Sequence, residues 1–408
     1  MSKRILITGI SGFVGSYLAK KALDLGFDVF GLIRRRADGS SSRLLREKNV
    51  INEIRLMDGD IINLTSILFA LEESQPDVVF HLGAHSFVPN SFFNPLETFK
   101  VNSYGTQNLL EAVRLKDLDC KVIFAGSSEE YGLQLVSQKH YEWALKNYGV
   151  ILPGPERIPE LPIGENNPLR PMSPYAVSKV HGDFLMRNYY HVYRIKTIVS
   201  RAFNHEGAGR GHEFVTSTVV RQCVQLKFGE RDKIVIGNVN AFRDWSHIED
   251  IVQGYILLAE KGKIGDVYVQ GSMRTNSVLT YILLTLEELG YEIKEVETLD
   301  GKKKVKDPTE PSSEVFFGVK FEKTKIDELI LKGEVEYVLG DGGLNIKTNR
   351  GNVTIEFDPK KFRPAEVPIL MSNTEKIRSL GFKIEKSLKD IIRDQINYYL
   401  NPENRSVQ

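Results

Sequence analysis

Gly9-Ile10-Ser11-Gly12-Phe13-Val14-Gly15 directly follows the apolar run Arg4-Ile5-Leu6-Ile7-Thr8 and opens a helical pattern, Tyr17-Leu18-Ala19-Lys20-Lys21-Ala22-Leu23. The order is strand, glycine-rich turn, helix. Glycine permits the tight turn and lets a pyrophosphate approach the backbone. The helix N-terminus adds unpaired N–H groups and the positive end of the helix dipole. Glycines alone say little, because turns and caps also collect them. Their place between a strand and a helix makes this a dinucleotide-binding turn, with Gly9, Gly12 and Gly15 at the phosphates.

Outward from this turn, apolar runs alternate with amphipathic stretches up to about residue 200. Strands are expected over 4–8, 28–33, 54–57, 78–82, 121–125 and 197–200, with helices such as 66–73 and 95–115 between them. That alternation predicts an α/β fold: a Rossmann-type doubly wound parallel sheet with helices on both faces. Beyond Arg201 the pattern loosens into a smaller, mixed α/β C-terminal part. Helices are expected over 214–228, 248–258 and 278–289, with a strand over 233–236. The expected division is therefore residues 1–201 for the dinucleotide and 202–408 mainly for substrate. Residues 133–170 form a long insertion rich in proline and aromatics, of the kind that is usually a functional lid or disordered. Residues 302–307 are a lysine-rich, solvent-exposed stretch. They belong to a β-rich extension over about 300–357, with hairpin signals at Gly340-Asp341-Gly342-Gly343 and Asn349-Arg350-Gly351-Asn352.

The bulk properties exclude several classes. Lys+Arg number 54 and Asp+Glu 53, a net charge of +1, so nothing points to nucleic acid or a charged membrane surface. Cys120 and Cys223 make no disulfide framework and no zinc motif; both sit in apolar surroundings that suit packing, and no metal site is expected. No apolar run is long enough to span a bilayer and no signal-peptide pattern opens the chain, so a cytoplasmic protein is expected.

Two further stretches carry chemistry. The second expected strand ends Gly31-Leu32-Ile33-Arg34-Arg35-Arg36, with no carboxylate to receive a ribose 2′-hydroxyl. Guanidinium groups there suit a 2′-phosphate, so NADP is the expected cofactor. Asp60, after the third strand in Asp58-Gly59-Asp60-Ile61, is placed to meet the adenine amine or to serve as a plain turn residue. Ser173-Pro174-Tyr175-Ala176-Val177-Ser178-Lys179 then reads as an N-cap, a first-turn proline and a Tyr/Lys pair one turn apart. An ammonium beside a phenol is expected to favour the phenolate, making Tyr175 a base near neutral pH, with Lys179 also able to hold the nicotinamide ribose. Gly126-Ser127-Ser128-Glu129-Glu130-Tyr131-Gly132 follows the fifth strand, where a doubly wound sheet places catalytic groups. Ser127 can hydrogen-bond the oxygen that Tyr175 deprotonates. One of the two glutamates is a candidate for the chemistry, and the other is expected to be exposed and to cap a turn.

With these motifs in place, the chain resembles the extended short-chain dehydrogenase/reductase superfamily of nucleotide-sugar epimerases and dehydratases. Within it, the chain looks like the GDP-mannose 4,6-dehydratase family. The likeness covers most of the chain. It rests on residues 31–36, Leu82-Gly83-Ala84-His85-Ser86, residues 127–132 and 174–179, Phe203-Asn204-His205-Glu206 and Gly211-His212-Glu213-Phe214-Val215. It continues through Gly237-Asn238, Arg243-Asp244-Trp245, His247 and Phe362-Arg363-Pro364-Ala365-Glu366-Val367. Serine stands at Ser127 where that family commonly has threonine, and the stretches 133–170 and 302–357 are longer than it leads one to expect.

The resemblance implies an internal redox cycle on GDP-mannose, in which hydride leaves C4 for NADP and returns at C6. Tyr175 and Ser127 take the 4-hydroxyl proton, and Glu129 removes the C5 proton and then protonates the departing 6-hydroxyl. The resemblance adds Ile61, Leu82, Ala84, Ser86, His205 and Arg210 to the cofactor site. It adds Ser86, Asn204, Phe214, Val215, Arg243 and Arg363 to the substrate site, the two arginines at the diphosphate. It also implies a homo-oligomer, dimer or tetramer. Three alternatives stay open at this level: a 4-epimerase, which needs no C5 base; a 4,6-dehydratase for a CDP-sugar or a GDP-heptose; and a non-catalytic NADP-sensing protein.

Overall fold

The protein, described here from a computed structural model, is defined over residues 2–34, 43–362 and 367–406. Its centre is a seven-stranded, all-parallel sheet. The strands are β1 (Arg4–Thr8), β2 (Asp28–Ile33), β3 (Arg55–Asp58), β4 (Val78–His81), β5 (Lys121–Ala125), β6 (Lys196–Ala202) and β7 (Val267–Gln270). Their order across the sheet is β7-β6-β5-β4-β1-β2-β3, so the winding reverses between β1 and β4. Ligands of such sheets bind beyond the strand C-termini at that reversal.

The strand sequences are continuous apolar runs because helices bury both faces. On one face α1 (Phe13–Asp24) and the helix Ile248–Lys261 cover Ile5, Ile7, Phe80 and Ile198. On the other, the helices Leu64–Ser74, Gly105–Leu115 and α2 (Pro174–Tyr193) cover Leu6, Val79, Val122 and Val199. The chain crosses into the second half and comes back. Residues beyond 201 supply both β7 and the helix Ile248–Lys261 to the central sheet.

The expected single helix over 95–115 is interrupted. Pro95–Phe99 and Gly105–Leu115 are α-helical, but Lys100–Tyr104 is a π-turn. The wider turn carries Asn102 inward. Its carboxamide accepts the His85 N–H (2.8 Å) and donates to the His85 carbonyl (3.0 Å) and to Ser178 of α2 (2.9 Å). A polar contact, invisible to helical periodicity, sets this irregularity.

The C-terminal half holds a second sheet of five strands, in the order Lys304–Lys306, Ile293–Thr298, Gly343–Thr348, Gly351–Phe357 and Lys233–Ile236. The helices Val215–Lys227, Val278–Glu288 and Leu388–Leu400 pack on it around Ile282, Ile346, Ile355 and Ile392. One hairpin signal is a hairpin: Asn349-Arg350 joins strands paired at Thr348 and Gly351. The other is not. Gly340 and Asp341 end a short 3₁₀ turn that leads into Gly343–Thr348, whose earlier partner, Ile293–Thr298, lies far back in the chain and not directly before the turn. The lysine-rich stretch is largely exposed and forms the edge strand, where lysines discourage further strand pairing.

The insertion at 133–170 is an ordered strap and carries the helix Gln138–Tyr148. Its ends are pinned together: Leu133 N–H donates to the Arg170 carbonyl (3.0 Å) and Arg170 N–H to the Tyr131 carbonyl (3.2 Å). The Arg170 guanidinium meets the Glu160 carboxylate with two parallel bonds of 2.7 and 2.8 Å, and also donates to the carbonyls of Leu133 and Pro153. Both side chains are buried. Removing one member of such a pair strands the other charge away from water. Arg170→Met is therefore expected to lower stability by about 3–5 kcal/mol, read from denaturant titration. A loss within the ordinary surface range would show that the strap is not braced by this pair.

Candidate active site

The turn between β1 and α1 lies against the β4 end with no room for side chains. Gly9 has φ +73°, and a Cβ there would lie 2.8 Å from the Gly83 nitrogen. A Cβ on Gly15 would lie 2.3 Å from the Gly9 carbonyl oxygen, which already accepts the Gly12 N–H (3.0 Å). Helix α1 starts without a side-chain cap and without an acid in its first turn. Among the described residues its leading N–H groups are thus left to a ligand, the condition that favours phosphate.

From this turn a cleft of about 1200 Å³ runs across the strand C-termini into the second half. That exceeds the roughly 300–1,000 Å³ of common small-molecule sites. Among the described residues seven basic side chains line it, Arg34, Lys179, Arg210, Arg221, Arg243, Lys360 and Lys361, against the acids Asp60, Glu129, Glu206 and Glu213. The excess suits anionic ligands such as two diphosphates.

The predicted residues converge here. Gly9, Gly12 and Gly15 line the cleft with Arg34, Asp60, Ile61, Leu82, Ala84 and Ser86. So do Ser127, Glu129, Tyr175 and Lys179, and on the far wall Asn204, His205, Arg210, Phe214, Val215 and Arg243. Arg35, Arg36 and Arg363 lie outside the described residues. Arg34 stands 3.9 Å from the Asp60 carboxylate, whose other oxygen accepts the Ile62 N–H. Cys120 and Cys223 are buried away from the cleft, with their thiols pushed up by burial.

Ser127 starts a single 3₁₀ turn, Ser128–Glu130, with its hydroxyl accepting the Glu129 N–H at 3.2 Å. The two glutamates part company there. Glu129 is half-buried and lines the cleft. Glu130 turns inward and is fully buried, its carboxylate accepting the Ser127 N–H at 2.7 Å. The expectation of an exposed capping glutamate is half corrected: Glu130 does cap the turn, from inside the protein.

The expected electrostatics of the Tyr/Lys pair also need correction. Ser173 caps α2 through the Ala176 N–H (3.0 Å), which sets Tyr175 and Lys179 one turn apart. The Lys179 ammonium, however, donates to the Ala125 carbonyl (2.7 Å) and lies 5.9 Å from the Tyr175 ring centre. Burial is the largest influence on both groups. It pushes the Tyr175 phenol up to about 12, opposed by its hydrogen bond with Ser127 and by the charge of Arg210. It pulls Lys179 down to about 8. Desolvation dominates, and the phenol is neutral at pH 7.

Arg210 stacks 3.6 Å from the Phe214 ring centre and 5.2 Å from that of Phe13, with Glu206 at 3.4 Å from its Nε. His205 lies parallel to Phe13 and uses Nδ1 toward the Phe203 carbonyl (2.8 Å). Burial lowers it to about 4, so it is neutral at pH 7 with a proton on Nδ1. Arg243 donates to the Phe242 and Val367 carbonyls at 2.9 and 2.7 Å.

Sequence reasoning missed Arg221, Lys360 and Lys361, and the aromatics Phe87, Phe92 and Phe93 on the near wall. Arg221 is one cation on an ordinary amphipathic helix, and nothing local marks it. Lys360 and Lys361 adjoin Phe362, where the quoted motif begins. His81, at the end of β4, does not line the cleft. It is buried between the hydroxyls of Thr8 (2.8 Å) and Thr106 (3.0 Å), and burial lowers it to about 3.

The family described as "NAD dependent epimerase/dehydratase family" matches residues 5–271, the whole central sheet and most of the cleft. The chain belongs to this family. It is 31% identical to a GDP-mannose 4,6-dehydratase of Vibrio cholerae, over 97% of this chain and 93% of that relative. It is 29% identical to a GDP-mannose 4,6-dehydratase of Yersinia enterocolitica, with the same coverage. Among solved structures it is similar to that of RMD from Pseudomonas aeruginosa complexed with NADPH, at a TM-score of 0.64 and 20% identity over 97% of this chain and 99% of that one. No helix among the described residues is long and apolar enough to cross a membrane.

The glycine cradle, the open helix start and the basic cleft fit a nicotinamide dinucleotide. Gly15→Ala should leave a protein purified with little or no bound dinucleotide, because the clashing atoms are backbone and cannot swing aside. Absorbance of the denatured, protein-free extract measures this. A full complement of cofactor in that variant would contradict the cradle.

Proposed function

We propose that the chain catalyses NADP-dependent dehydration of GDP-mannose to GDP-4-keto-6-deoxymannose. It is an enzyme, a hydro-lyase acting on a nucleotide sugar with a nicotinamide cofactor, and GDP-mannose and NADP are the specific reading. The observation that carries it is the half-buried Glu129 in the same cleft as Ser127, Tyr175 and Lys179. A 4-epimerase has no use for that carboxyl group. The two relatives of nearly full length, both named for GDP-mannose, support the substrate. NADP is supported by the arginines after β2, by the lack of an acid there, and by the NADPH in the similar RMD structure.

A nicotinamide held by these residues would supply the redox chemistry, with hydride leaving the sugar at C4 and returning at C6, so that no net oxidant would be consumed. The chain's own groups move the protons. Tyr175 takes the 4-hydroxyl proton, with Ser127 and the Arg210 charge favouring its phenolate against burial. The resulting 4-ketone acidifies the C5 proton, which passes to Glu129. The C6–O bond then breaks, and the glutamic acid gives its proton to the leaving oxygen, which departs as water; once C6 has regained hydride, C5 takes up the proton that Tyr175 holds, which closes the cycle. One carboxyl group acts first as base and then as acid. In this reading Gly9, Gly12, Gly15, Arg34, Arg35, Arg36, Asp60, Ile61, Leu82, Ala84, Ser86, His205 and Arg210 hold the cofactor, with Tyr175 and Lys179 at its nicotinamide end. Asn204, Phe214, Val215, Arg243 and Arg363 hold the nucleotide sugar, and two arginines at a diphosphate fix the sugar for reaction. Residues 1–201 serve mainly the cofactor and 202–408 mainly the nucleotide sugar. A cytoplasmic homo-oligomer belongs to the same reading, by family likeness.

Incubation with a panel of nucleotide sugars should remove one water from GDP-mannose, using the cofactor that purifies with the protein or catalytic NADP+, and less efficiently NAD+. Mass spectrometry decides; a mass-neutral C4 epimer as the only product across the panel would sink the reading. Glu129→Gln should bind GDP-mannose normally but dehydrate it about 10²–10⁴-fold more slowly, since an amide cannot take the C5 proton. Reduced-nicotinamide absorbance should still reveal oxidation at C4. Near-normal dehydration would place the base elsewhere.

A further inference from the structure

Directly behind the catalytic turn lies a buried ion cluster that the proposed chemistry does not use. Glu130 and Asp183 are completely buried, and Arg201 nearly so. Arg201, on β6, donates from Nε to Asp183 Oδ2 (2.9 Å) and holds Glu130 Oε2 at 3.4 Å. Its Nη1 donates to the Tyr131 hydroxyl (3.1 Å) and to the Glu165 carbonyl of the insertion strap (3.0 Å). Arg187 completes the pairing of Asp183 at 2.6 Å. Burying two carboxylates is costly and adds little stability over an apolar core of the same shape, so stability alone does not explain the cluster.

Its placement does. Glu130 belongs to the turn that carries Ser127 and Glu129, and Asp183 belongs to the helix that carries Tyr175 and Lys179. A single guanidinium bridges the two. The other Glu130 oxygen accepts the Ser127 N–H, and a Cβ on Gly126 would lie 2.6 Å from it, so the turn is moulded around this carboxylate.

We propose that Glu130 is a positioning residue: through Arg201 and Asp183 it locks the Ser127–Glu129 turn in register with the Tyr175–Lys179 helix. The inference rests on the dehydratase reading of those four side chains. A second consequence is electrostatic. The charged groups facing Glu130 are Arg201, Asp183 and Lys179, with Tyr175 also within its field. Burial and Asp183 push Glu130 up, and Arg201 opposes them. Glu130 is pushed up to about 8, so it ionises in the same range in which Lys179 titrates, and its charge there favours the ammonium against the burial that lowers it.

Two variants separate geometry from charge. Glu130→Gln keeps an oxygen for the Ser127 N–H but loses the charge; Glu130→Asp keeps the charge but cannot span both partners. Lys179 is titrated in the purified protein by NMR of isotope-labelled lysine, with Lys179→Met supplying the assignment. Its ammonium should be lost about half a pH unit lower or more in Glu130→Gln, and less shifted in Glu130→Asp. With GDP-mannose, both variants should lose about tenfold or more in kcat while KM stays within about twofold. An unchanged Lys179 titration in Glu130→Gln would overturn the electrostatic part, and a parental kcat in Glu130→Asp would overturn the positioning part. Should Glu130→Gln fail to fold, Glu130→Asp still decides the latter. Should the parent turn over no nucleotide sugar, the dehydratase reading fails while the titration still tests the link from Glu130 to Lys179.

Discussion

Backbone packed on backbone at the β1–β4 reversal is the constraint on which the rest depends. Gly9 meets Gly83, and Gly15 meets the Gly9 carbonyl, at separations that leave no space for a Cβ. This contact brings the start of α1 down to the sheet edge, so its N–H groups face the cleft rather than a side-chain cap. Ser86, Ser127 and Ala202 line the cleft along the same edge of strand C-termini, and Arg221, Ile236 and Val278 close it from the second half. The parallel sheet needs helices on both faces to bury its apolar strands. That burial makes the edge rigid enough for loops from distant parts of the chain to meet with fixed geometry.

The same burial sets the protonation states of the chemical groups. Tyr175 is raised, and Lys179, His205 and His81 are lowered, each chiefly by desolvation. All four move toward neutrality, which is how proteins avoid uncompensated buried charge. The buried cations keep company: Arg201 lies beside Asp183 and Glu130, and Arg210 beside Glu206 and two aromatic faces. Among the described residues the cleft carries more cations than acids, which suits ligands that bring their own negative charge.

The two long additions leave this core undisturbed because each enters where the sheet can spare it. The strap at 133–170 leaves after Gly132 and returns before Ser173, its ends joined by main-chain bonds and the Arg170–Glu160 pair. It therefore closes on itself, and through the Glu165 carbonyl it also braces Arg201. The residues around 293–357 extend the second sheet beside Lys233–Ile236 and end in a lysine-bearing edge strand.

Much of this was legible in the amino-acid order. β1, β2 and β5 begin and end where apolar runs begin and end, because a strand buried on both faces must be apolar along its length. The glycine turn and the Ser173-capped helix were legible because their chemistry lies within a few consecutive residues. What remained hidden depends on partners far apart in the chain. The π-turn at Lys100–Tyr104 exists for Asn102 to reach Ser178. The different fates of Glu129 and Glu130, adjacent and identical in kind, are decided by Arg201, some seventy residues later. The Tyr175–Lys179 spacing was set by the helix, but whether the ammonium neighbours the phenol was decided by the Ala125 carbonyl and by how completely the fold excludes water. Local order thus determined most of the elements and the identity of the proposed reacting groups. Only the tertiary structure decided their charge and company, because desolvation and long-range pairing are properties of packed space and not of neighbouring positions in the chain.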